Sequence, residues 1–68
     1  MGRSNDEVKA MATSIPKGTI HQSIWKYEVC NRYKAGESLQ AAMHAATAAR
    51  QEVDPDFKPD FDHELLGR

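Results

Sequence analysis

SIWKYEVCNRYKAGESLQAAMHAATAARQE, residues 23–52, is two helical patterns parted by a single glycine. The glycine, Gly36, follows Lys34 and Ala35: a basic last turn, then a residue suited to the left-handed position that closes a helix. Upstream, Thr19 and Gln22 have the spacing of a capping box, which starts a helix near Ile20. This predicts a helix over about 20–35. Downstream, Glu37 or Ser38 opens a second helix rich in alanine, the strongest helix former. Asp54-Pro55 stops it, because a residue before proline is pushed out of helical geometry. That helix spans about 38–53.

At about 100° per residue, the 20–35 helix has two apolar sides. Ile20, Ile24 and Tyr27 fall on one; Trp25, Val29 and Tyr33 fall nearly opposite. Lys26, Glu28, Arg32 and Lys34 fill the edges. A helix that packs once shows one stripe, so this one has more apolar surface than a single neighbour covers. The alanine helix divides more gently. Leu39, Ala42, Met43, Ala46, Ala49 and Val53 form a face with volume, and Ala41, Ala45 and Ala48 form a small-residue face suited to a bulky neighbour such as Trp25 or Tyr33.

The N-terminal stretch SNDEVKAMATSIP predicts a further helix over about 5–14. Ser4 and Glu7 make a capping box, and Asp6 and Glu7 suit the positive end of the dipole. Val8, Met11, Ala12 and Ile15 recur at i, i+3, i+4, i+7, and Pro16 ends the run. The C-terminal stretch DPDFKPDFDHELLGR repeats Pro-Asp-Phe at 55–57 and 59–61, which favours turns and extended chain. Pro59 can still open one short turn through Leu65 and Leu66, closed by Gly67. The fold class is therefore all-α: a small three-helix bundle over residues 1–53, followed by an acidic, partly irregular segment over 54–68.

A chain of 68 residues makes one domain, and a core this small supplies only about 3–5 kcal/mol without staples. Cys30 is the only cysteine, so no intramolecular disulfide forms. His21, His44 and His63 are scattered, with no zinc spacing, and no cofactor is expected. Asp54, Asp56, Asp60, Asp62 and Glu64 invite a calcium loop, but Lys58 and Pro59 occupy positions that need a ligand and a glycine. No apolar run reaches the length of a membrane span, and the N-terminus has neither a secretory nor a myristoylation pattern. A cytoplasmic setting is the expectation. Net charge is −1 but uneven: residues 1–51 are mildly basic and 52–68 acidic.

RYKAGESLQAAMHAATAARQEV, residues 32–53, resembles bacterial helix-turn-helix modules, in which Y-x-x-G-x-S-L precedes an alanine-containing helix, a tight turn and a recognition helix. The resemblance covers about a third of the chain and implies nucleic-acid binding through Arg32, Lys34, Arg50 and Gln51. It departs where the turn glycine belongs, since Thr47 stands there within AATAAR, and Pro55 would break the recognition helix early.

No constellation supports catalysis. Cys30 beside bulky apolar residues reads as a small hydrophobe rather than a nucleophile. The expectation is a non-enzymatic interaction module: an adaptor, inhibitor or regulatory accessory protein, of a kind common in bacteria and their phages. Its partner is another protein or a second copy of the chain, with nucleic acid as the alternative. Trp25, Val29 and Tyr33 are the expected anchors, since aromatic residues dominate binding hot spots. Lys26 and Arg32 are the expected rim. Phe57 and Phe61 either make a secondary contact with the partner or fold back on the chain's own helices.

Overall fold

A computed structural model describes residues 2–67. The chain folds into α1 (Asn5–Ala12), α2 (Ile20–Lys34) and α3 (Leu39–Val53), then a terminal 3-10 turn over His63–Gly67. The all-α, three-helix expectation holds. Each α-helix opens as its sequence requires. The hydroxyls of Ser4, Thr19 and Ser38 accept from the amides of Glu7, Gln22 and Ala41, three residues on, which satisfies an otherwise orphaned donor. Helix α1 is shorter than its apolar period implied. Ser14 N donates to Met11 O and Ile15 N to Ala12 O, so the chain tightens into i→i+3 turns before Pro16.

Helices α2 and α3 are joined by the short link 35–38 and form the main packing pair. Gly36 sits at φ 113°, a conformation that side chains with a Cβ avoid; the link turns there. The core gathers Met11 and Ile15 from the α1 region, Trp25 and Val29 from α2, Ala42, Met43 and Ala46 from α3, and Phe57 and Leu65 from the C-terminal segment. Trp25 is its centre, with no exposed surface. Its Nε1 donates to Thr47 Oγ1 at 3.0 Å, and its indole stacks on Phe61 with centroids 5.9 Å apart.

The C-terminal segment is part of the domain, not an appendage to a 1–53 bundle. Phe57 and Leu65 are buried, and main-chain bonds fasten the strap: Asp62 N donates to Ser14 O. The buried Gln22 side chain donates to Asp60 O at 2.7 Å and to Pro16 O at 3.1 Å, and accepts from Asp60 N at 2.9 Å. The closing turn is opened by the Asp62 carboxylate, which accepts from Glu64 N, rather than by Pro59. The side chain of Leu66 lies outside what is described. At the opposite end, Arg3 closes α2: its guanidinium donates to Tyr33 O and Glu37 O and lies 3.9 Å over the Tyr33 ring.

Two expectations for α3 are corrected. Ala41 and Ala48 are exposed and Ala45 half-buried, so this face is not the main seat of an aromatic side chain: Trp25 is buried with Ala42, Met43 and Ala46 and reaches Thr47. Val53 is 66 % exposed, since α3 ends there and the chain turns away at Asp54.

Candidate functional site

The residues expected to grip a partner divide sharply. Trp25 and Val29 are fully buried and offer a partner no surface. The physical reason is competition: α3 and the strap both close on the indole, through Thr47 and Phe61, and Met11 and Ile15 of the α1 region join the same core. Phe57 is buried and Phe61 half-buried on the indole, so the phenylalanines fold back. Tyr33 is half-buried beneath the Arg3 guanidinium. Lys26 is half-buried beside Tyr27. Arg32 is tied to Glu28 at 3.3 Å and Glu37 at 3.1 Å, and these acids raise its pKa further. The expected face is thus the inside of the protein, and its anchors and rim do not form one surface.

The surplus apolar surface of α2 lies on the other side. Ile20 is 74 % exposed, Ile24 41 % and Tyr27 71 %, and the spacing of these residues sets them along one line of the helix. Among the described residues α1, α3 and the strap all pack on the Trp25/Val29 half, which leaves Ile20 and Tyr27 largely open and Ile24 partly covered. Beside this strip runs a shallow groove of about 410 Å³ lined by Lys17, Ser23, Lys26, Tyr27 and Cys30. The strip is therefore oil with a basic bank. Its signal was present in the sequence as the second wheel face; what the sequence did not reveal was which face the strap would claim. Gln22 held that information, as a polar side chain on the Val29 half with no helix partner of its own.

Cys30 borders the groove, half-buried. Burial pushes its thiol pKa up, with Lys26 pulling weakly the other way, so at neutral pH it is a protonated, sluggish thiol rather than a nucleophile. A second shallow groove, lined by residues such as Gln40, Met43, His44, Thr47 and Phe61, is floored by side chains already packed on one another, and its exposed lining is mostly apolar.

The nucleic-acid alternative loses its geometry. Helix α3 continues unbroken through Thr47 to Val53, so no turn separates a recognition helix. Gln51 donates its amide to Phe57 O, and Arg50 is half-buried, with its Nε shielded from solvent. Arg32 is paired as above, and of the four Lys34 and Gln51 are exposed. Among the described residues no group of three or more metal-ligating side chains converges, and no helix is long and apolar enough to cross a membrane. Compared with known proteins, the chain matches no family model, no curated protein and no solved structure.

Proposed function

We propose that this protein is a small interaction module that binds another protein through the outer face of α2, with Ile20, Ile24 and Tyr27 as anchors. The observation that carries the reading is economy. A chain with so little core leaves Ile20 and Tyr27 largely in water on either side of a partly exposed Ile24, while burying even a glutamine elsewhere. Single exposed apolar residues are ordinary; a contiguous line of them is characteristic of a contact surface. A helix presenting anchors at i, i+4 and i+7 is a recurrent mode of protein recognition. The adaptor, inhibitor and regulatory roles all share this mode.

The test places a photo-reactive phenylalanine analogue at position 27, on the strip, or at position 44, on the outer face of α3. Each protein is expressed in the cell of origin and irradiated. Covalent adducts with another protein are expected from position 27 and not from 44, and are expected to vanish when Ile24→Asp is added. Equal adducts from both positions, or none from 27, would overturn the reading.

A further inference from the structure

We infer that the occupant of the α2 strip is an acidic amphipathic helix of a different protein. This rests on the strip being the docking surface, and it names what docks there.

The unpaired charge of α2 and its entry loop around the strip has one sign. Lys17 and Lys26 line the groove together with Tyr27, and the exposed Lys34 lies within about 60° of the strip on the helix wheel. Glu28 is the single acid of α2. It sits on the far edge of the strip, and its carboxylate is engaged by Arg32 at 3.3 Å. A ligand lying along Ile20, Ile24 and Tyr27 therefore meets ammonium groups along one bank and no free carboxylate of α2. Acidic groups flanking an apolar stripe complement that pattern and steer the encounter.

The shape favours a helix. A groove running beside a helix takes the side-chain ridge of a second helix, whereas strand addition needs a sheet edge, which the described residues lack. Two other occupants fit less well. An antiparallel two-fold dimer through α2 would bring lysine-bearing banks against one another, and such like-charge contacts are costly. The chain's own acidic segment, or that of a second copy, has the right charge, but its described large apolar side chains are already engaged: Phe57 and Leu65 are buried and Phe61 is stacked on Trp25.

The experiment is a selection from a displayed library of alanine-based helical peptides randomised on all faces, using the immobilised full-length protein. Selected peptides are then measured by fluorescence anisotropy. The expected winners carry an apolar i, i+3, i+4, i+7 stripe flanked by Glu and Asp. Replacing their acids by Lys should weaken binding by about tenfold or more, roughly 1.4 kcal/mol. The double reversal Lys17→Glu with Lys26→Glu should restore binding to the lysine version. Ile24→Asp and Tyr27→Ser, both at exposed positions, should abolish binding while the fluorescence of Trp25 stays native.

Winners lost with Ile24→Asp but lacking an acidic bias would overturn the acidic helix and leave the strip standing. Winners indifferent to Ile24→Asp would sink the strip itself. A library yielding no binder overturns the helical occupant. Sedimentation showing a dimer that Ile24→Asp dissociates would replace the foreign helix with a second copy. Salt-sensitive binding to random duplex DNA that persists in Ile24→Asp would replace it with nucleic acid.

Discussion

Gln22 shows how much one side chain can decide in a chain of this size. It is buried and makes three hydrogen bonds, two of them to the main chain of Asp60. Replacing it by Leu keeps the volume but strands Asp60 N, Asp60 O and Pro16 O. Each such hydrogen bond contributes about 0.5–1.5 kcal/mol net, so Gln22→Leu should lower stability by about 1–2 kcal/mol in urea unfolding, with Asp60 N exchanging faster. An unchanged midpoint would show that the clasp contributes nothing. Thr47→Val tests the indole bond by itself, with an expected loss of about 1–2 kcal/mol. Cys30 supplies a chemical check. Its folded pKa is raised by burial, so the neutral thiol is the form that folding favours. The stability this contributes is complete below the unfolded pKa and is lost as pH rises through the folded one. Alkylation near pH 8 should accordingly be several-fold slower in the native protein than in urea, and equal rates would contradict the burial.

Each element carries its own start signal, and that is why the helices were legible beforehand. Ser4, Thr19 and Ser38 sit where capping chemistry demands, and Ser38→Ala should cost about 1 kcal/mol in thermal or urea unfolding. Gly36→Ala should cost more than about 1 kcal/mol, because its φ of 113° is strained for any L side chain. Boundaries were read less well, as at Thr13–Ile15, since the tightening there depends on how the chain enters Pro16 rather than on periodicity. The two faces of α2 were visible on the wheel, yet their roles came out reversed. Periodicity identifies a stripe but does not say what will lie upon it. The deciding contacts join Gln22 to Asp60 and Trp25 to Phe61, across separations that no local pattern encodes. The exposed Ile20/Ile24/Tyr27 strip is what remains after those contacts are made.

At the scale of the molecule, the Cα radius of gyration is 11.3 Å, close to the roughly 11 Å of a compact domain of this length. The C-terminal strap is therefore inside the globule's envelope and within its core. Ending the chain after Val53 should leave Trp25 uncovered and abolish cooperative unfolding; a sharp transition in that truncation would restore the 1–53 bundle as an independent unit. The mode of attachment has a further consequence. The clasp grips Asp60 and Ser14 through peptide groups, so it is indifferent to the identity of the side chains there. Apart from Asp54 and Asp62, whose carboxylates accept from Asp56 N and Glu64 N, the outward residues of this segment are free to drift under mutation, gaining or shedding charge, while the lock beneath them stays shut. A lineage carrying this fold has, in that stretch, a place to rewrite its electrostatic character without reopening the question of how the chain folds.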